Sequence, residues 1–170
     1  MATGTSESTP LRVTPKTLLD PVHFVAFGFG AGLAPRAPGT AGSVVGIVIA
    51  WWLVPLPLLA RAGIALVAFA AGIWVCGESA RRLNAHDHPG IVLDEIVAVL
   101  AATLVMAERS VLGFFLLFVL FRIFDIFKPW PIRDVDHRLG GGLGIMLDDL
   151  MAAFYAAVGL AIIRALVPTI

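Results

Sequence analysis

No charged residue interrupts residues 37–60, and after the single Arg61 a second apolar run, residues 62–77, follows at once. Two such runs back to back constrain the fold more than any other feature of the chain. Hydrocarbon offers no partner to a peptide N–H or C=O, so a segment held there must satisfy its own hydrogen bonds, as a helix does. Residues 44–60, with Trp51 and Trp52, are expected to form a membrane helix that Pro55 and Pro57 kink or end near the far interface. Residues 62–77 return through the bilayer and complete a hairpin. Composition agrees: 59% of the 170 residues are hydrophobic and 14% charged, against about 25% charged in ordinary soluble domains.

Three further segments are expected to be membrane helices. Residues 96–107 and 110–121 are short for the ~20 residues of a span. They reach it only by running on through Asp94-Glu95 and through Asp125. Residues 150–168 supply a fifth helix, with Arg164 snorkelling outward. The expected fold is thus all-α, a polytopic bundle of four to five membrane helices over residues 21–170. Residues 1–20, rich in Ser, Thr and Pro, read as a flexible tail and lack the apolar core of a secretory signal.

Five crossings put Arg12, Lys16, Arg36, Arg81, Arg82, Arg122, Lys128, Arg133 and Arg138 on one face and Arg61, Arg109 and Arg164 on the other. Nine basic residues against three make the first face cytoplasmic. Eleven of the twelve acids share that face, Glu108 being the exception. A net charge of zero with no Lys/Arg run argues against a nucleic-acid partner. The lone Cys76 excludes an intrachain disulfide. No internal repeat or inverted symmetry is visible.

Three polar segments meet at the cytoplasmic helix ends. A glycine-rich stretch ends in Pro38-Gly39-Thr40-Ala41-Gly42-Ser43, where glycines admit a ligand to the backbone and a following helix N-terminus suits phosphate. Ser43 as a plain N-cap explains it equally. Asp94-Glu95 precede an apolar helix and serve either its dipole or a ligand. Arg122, Asp125 and Lys128 are spaced by three, on one helical face, and Asp148-Asp149 follow the hinge-like glycines 140–144. A salt bridge and helix caps account for these one at a time. As a set, five carboxylates crowded at one membrane face repel each other unless a cation lies among them. Mg²⁺, hard and oxygen-seeking, is the natural choice, with Arg122, Lys128 and Arg133 neutralising phosphate oxygens.

Two other constellations read as bystanders. The loop histidines His86, His88 and His137 have irregular spacing and read as solvated. Cys76 and Arg82 fit the Cys-x5-Arg spacing of cysteine phosphatases, but Cys76 ends an apolar span instead of sitting in a loop of N–H donors.

The blocks Gly30-x-Gly32-x-x-Pro35-x-x-Pro38-Gly39-Thr40-x-Gly42-Ser43, Asp94-Glu95, Phe121-Arg122-x-x-Asp125-x-x-Lys128-Pro129-Trp130-Pro131-Ile132 and Gly144-x-Met146-x-Asp148-Asp149 resemble, in order, those of the bacterial phosphatidylglycerophosphatase A family. The resemblance runs from about residue 20 to the C-terminus and departs at Ala152-Ala153, where relatives often have Ala-Gly. It implies a Mg²⁺-dependent enzyme of the inner membrane that removes the terminal phosphate of phosphatidylglycerophosphate at the cytoplasmic side. Carried over, it implies that Glu95, Asp125, Asp148 and Asp149 hold Mg²⁺, with Asp94 orienting or supplementing them. Asp94, Asp125, Asp148 and Asp149 form the catalytic set. Arg122, Lys128 and Arg133 bind phosphate, and Thr40 and Ser43 line the headgroup site. Attack by water and a covalent aspartyl-phosphate both stay open. A small cation transporter using the same acids, and a non-enzymatic structural protein, are the competing expectations.

Overall fold

The computed structural model describes residues 13–85, 88–134 and 139–167, and every regular element among them is helical. Helix α1, Pro21–Ala26, starts where the Asp20 side chain accepts the Val22 N–H. A 3-10 segment, Gly28–Leu33, turns the chain with Phe29 and Gly30 at positive φ, and α2, Pro38–Leu53, follows. Pro38 at the first helical position costs no hydrogen bond, because that N–H has no partner in a helix anyway. Helix α2 ends before Pro55, which cannot continue it. Next come α3, Leu58–Arg82, α4, Leu93–Ala102, a 3-10 turn over Thr103–Val105, α5, Val111–Phe127, and α6, Gly141–Leu166.

By length and composition α3 and α6 are able to cross a membrane. Their outward positions are apolar: Leu66, Val67 and Trp74 on α3, and Phe154 and Ile162 on α6, are exposed. Such a surface suits lipid better than water. Helices α2 and α5 have 16 and 17 residues. Helix α4 has 10, roughly 15 Å of rise against a hydrocarbon thickness of ~30 Å.

Helix α4 is the centre of the bundle. It packs against α2, α3 and α6, and Ile96, Val97, Ala98, Val99, Leu100 and Ala102 are all buried. Small residues let α2 lie close to it: a Cβ on Gly46 would fall 2.9 Å from the Val99 Cβ, and one on Gly42 2.7 Å from the Val92 Cβ.

The boundaries depart from the expectations in ways that matter. Helix α2 begins at Pro38, not residue 44, so Ser43 is no cap: its hydroxyl lies in the second turn and donates to the Gly39 carbonyl at 2.8 Å. Helix α6 begins nine residues before the expected 150, so the glycines at 141, 142 and 144 form its first turn and Asp148 and Asp149 lie inside it, not at a cap. Helix α5 runs through Asp125 as required, but ends at Phe127, and Lys128 has left-handed backbone (φ 40°) instead of continuing the face of Arg122. Helix α4 takes in Asp94-Glu95, yet stops at Ala102, short of 107. Of the expected tail, residues 1–12 lie outside the described residues, as do His86, His137 and Arg138. Pro15–Leu19 form a 3-10 turn and Asp20 pairs with Arg82, so the tail does not extend to residue 20.

Arg61, Arg109 and Arg164, expected on one face, do share one end of the bundle. The buried Arg61 Nη1 donates to the carbonyls of Thr103 (3.2 Å) and Met106 (2.9 Å), closing the C-terminal end of α4. Arg109 Nε donates to the Trp51 carbonyl at 2.8 Å and its guanidinium stacks over Trp52. Arg164 does not reach outward: it lies half-buried over Gly113. A charged donor to a buried acceptor contributes about 1.5–3 kcal/mol. Arg61→Ala is therefore expected to lower stability by about 2–3 kcal/mol, read as an earlier thermal melt in detergent; an unchanged melt would contradict this role.

Candidate metal and phosphate site

The end of the bundle opposite those three arginines collects the acids. Helix α4 begins where the Val92 N–H donates to the Ala26 carbonyl at 2.9 Å, which ties its first turn, with Asp94 and Glu95, to the end of α1. Helix α6 brings Asp148 and Asp149, and its glycines allow the approach: a Cβ on Gly142 would strike the Ile73 carbonyl of α3. Helix α5 brings Arg122 and Asp125, and α2 brings Gly39, Thr40 and Ser43.

Asp94, Asp148 and Asp149 are 8%, 6% and 4% exposed, so these carboxylates have left bulk solvent. One oxygen each from Asp94, Glu95 and Asp149 lie within 4.8 Å of one another. The Asp94 and Glu95 carboxylates repel each other within that group, and the charge of Asp125 acts on Asp149 from its border. Arg122 Nη1 pairs with Asp125 Oδ2 at 2.8 Å and donates to Ser43 Oγ at 3.2 Å. Lys128 Nζ donates to Asp148 Oδ2 at 2.7 Å, its left-handed backbone turning it back over α6.

The donor set fits a divalent cation. Asp94 Oδ1, Glu95 Oε2 and Asp149 Oδ2 are buried without a hydrogen-bond partner among the described residues. Each orphan of this kind costs about 1–3 kcal/mol, and more when charged. Neighbouring carboxylates compound that cost by repulsion. A hard cation removes both penalties, and an all-oxygen set is the one Mg²⁺ or Mn²⁺ takes.

The expected metal ligands thus divide. Glu95 and Asp149 sit in the tight group, and Asp94, expected to supplement, sits there with them. Asp125 borders the group through Asp149 and is held by Arg122, while Asp148 is held by Lys128. Ser43 is buried beside Arg122, Thr40 is half-buried in the first turn of α2, and Arg133 is exposed beyond Pro131. His88 accepts the Gly90 N–H and stacks near Phe27, and His23 pairs with Ser79, so both serve local packing. Cys76 is buried within α3 against Met146, and the Cys76-to-Arg82 stretch is continuous helix, with no phosphate loop.

Gly39 gains a part that its motif does not assign. A Cβ there would strike Glu95 Oε1 and stand 3.4 Å from Arg122 Nη1, so the bare backbone forms a wall of the site. Its only trace in the sequence is the Pro-Gly pair at a helix start. Gly39→Ala is expected to displace the Glu95 carboxylate and cut turnover about 10–100-fold, with a matching loss of metal affinity. Wild-type kinetics in that variant would contradict the wall.

The family model described as Phosphatidylglycerophosphatase A matches residues 24–164. Phosphatidylglycerophosphatase A of Haemophilus influenzae is 38% identical over 159 residues, covering 90% of this chain and 93% of its own. The Escherichia coli protein of that name is 36% identical over 138 residues, covering 81% and 80%. A Bacteroides thetaiotaomicron relative, provisionally named a phosphatidylinositol-3-phosphatase, is 35% identical over 150 residues, covering 82% and 91%. No solved structure matches the chain. With a matching model over most of the length and these relatives aligned nearly end to end, the chain belongs to the phosphatidylglycerophosphatase A family.

Proposed function

We propose that this chain hydrolyses the terminal phosphomonoester of phosphatidylglycerophosphate, producing phosphatidylglycerol and inorganic phosphate for phospholipid synthesis, with Mg²⁺ at the carboxylate cluster. The observation that carries the reading is the meeting of Asp94, Glu95 and Asp149 in one group, with both aspartates buried and Glu95 half-buried, beside the guanidinium of Arg122 and the ammonium of Lys128. Anion-binding and cation-binding side chains side by side suit a metal-assisted phosphate reaction. The names of the aligned relatives supply the substrate class.

Asp94, Glu95 and Asp149 would hold the metal, with Asp125 and Asp148 completing its surroundings. When bound, Mg²⁺ supplies Lewis-acid polarisation of the phosphoryl group and charge neutralisation. Arg122, anchored by Asp125 and Ser43, has a buried Nε without a partner among the described residues, a donor suited to a phosphate oxygen. Lys128 adds positive charge at the rim, and Thr40 and Arg133 extend the headgroup surface. Water attacks phosphorus as the bond to the glycerol oxygen breaks. A cluster carboxylate accepts the water proton, and the departing glycerol oxygen takes up a proton as it becomes a hydroxyl.

The placement follows the same logic. The chain forms one membrane-embedded unit of four to five helices in a bacterial inner membrane, with the site facing the cytoplasm. The nine-to-three basic asymmetry supports that orientation. A diacyl substrate then keeps its tails in the bilayer while its headgroup meets the helix ends. A cation transporter would need acids through the depth of the bundle, whereas this cluster occupies one end and arginines the other.

The test offers the purified chain phosphatidylglycerophosphate, phosphatidic acid and phosphatidylinositol 3-phosphate, with lipid products identified by mass. Phosphatidylglycerol is expected as the main product; conversion of the inositol lipid alone would overturn the assignment.

A further inference from the structure

A groove of about 540 Å³ runs along the outer side of α6 against the end of α4, lined by Ala101, Val105, Leu150, Met151, Phe154 and Ala157 among others. Its upper end lies at the same level of α6 as the site, since Leu147 and Leu150, which flank Asp148 and Asp149 in sequence, both line it. From Leu147 to Ala157 it follows α6 for roughly 15 Å, half the ~30 Å of hydrocarbon, or one leaflet. The alanines make its floor and Phe154, largely exposed, its rim. Among the described lining residues the one polar side chain, Tyr155, donates its hydroxyl to the Trp130 carbonyl.

We propose that this groove seats one acyl chain of the lipid whose phosphate meets the carboxylate cluster. The inference rests on the reading of the site as a lipid phosphatase and adds how the substrate is aligned. Three observations select an acyl chain over other occupants: apolar lining, a length of about one leaflet, and an upper end at the level of α6 that carries Asp148 and Asp149. A chain leaving bulk lipid for the groove gains little from the hydrophobic effect, since both surroundings are apolar. The groove acts by orientation, holding the glycerol end at a set distance from the metal and Arg122. A smaller groove of about 300 Å³ between α2 and α5 runs past Trp51 and Val111 toward the arginine-bearing end, and of its lining residues only Val44 adjoins a site residue, Ser43, in sequence. It serves as the control surface.

The experiment compares dipalmitoyl and dihexanoyl phosphatidylglycerophosphate with the full-length purified chain. Ala101→Phe, which fills the floor, is expected to lower kcat/KM about tenfold on the long-chain lipid and leave the short-chain lipid nearly unaffected. Phe115→Ala, in the control groove, is expected to change neither. Equal loss on both lipids, or no loss on either, would overturn the proposal. A second readout needs no variant: a long-chain substrate analogue with a photoreactive tail should label the α6 segment around Phe154 above the α2 and α5 faces, and uniform labelling would overturn it. Hydrolysis of both lipids by the wild type with no groove effect removes the groove alone. No hydrolysis of either removes the phosphatase reading and the groove with it.

Discussion

Asp149→Asn is expected to reduce phosphate release by roughly 10³-fold or more while the protein remains folded in the membrane. Metal polarisation of a phosphoryl group is worth several kcal/mol at the transition state, and each 1.36 kcal/mol is tenfold in rate. The amide would match the carboxylate in shape but remove the charge that lies against Glu95, Asp94 and Asp125. The sign of the stability change separates a metal site from a purely structural cluster. In chelator, removing one of several crowded negative charges relieves repulsion, so the variant should melt no earlier than wild type. A cation that binds only the folded protein raises the melting temperature by mass action, and that rise should be lost in the variant. A fully active Asp149→Asn protein, or one that simply unfolds, would count against the cluster as a metal site.

The second large effect is at Arg122. Arg122→Lys keeps the charge, yet is expected to cost about 100-fold in kcat/KM. One guanidinium nitrogen bridges Asp125 and Ser43, and the buried Nε stands ready for phosphate. An ammonium cannot hold both anchors and present a second planar donor. Losing one well-placed donor to transition-state charge typically costs about 10²–10³-fold. The paired variant Ser43→Ala should show a milder loss, about tenfold or less, because it removes one anchor and not the donor itself. Equal activity in Arg122→Lys and wild type would show that charge alone suffices there.

Much of the bundle is legible in the chain because membrane helices are written in hydropathy. The hairpin of α2 and α3 follows from two charge-free runs, and its turn from Pro55 and Pro57. That Arg61, Arg109 and Arg164 share one end of the bundle follows from the same alternation. Helix ends are the weak point, for a physical reason. Hydropathy marks where a helix meets lipid, whereas α2 and α6 begin earlier, in glycine-rich polar turns that are packed against protein. Gly142 sits against the Ile73 carbonyl, so its lack of a side chain signals close packing and not a hinge. Helix α4 misleads by being short and wholly wrapped by its neighbours: its length is explained by Arg61 closing its end, a contact 42 residues away in sequence. In the site, the residue types are readable and the pairings are not. That Lys128 serves Asp148, and that Asp94 joins Glu95 and Asp149, depends on how four helices meet, which spacing along one helix cannot encode.

The most direct measurement is inorganic phosphate released from phosphatidylglycerophosphate by the purified protein, stripped with chelator and then titrated with Mg²⁺. A carboxylate-held metal requires no release from the stripped protein, recovery that saturates with Mg²⁺, and no recovery when Asp149 is replaced by Asn. Full release in excess chelator, or recovery undiminished in the Asp149→Asn protein, would contradict it.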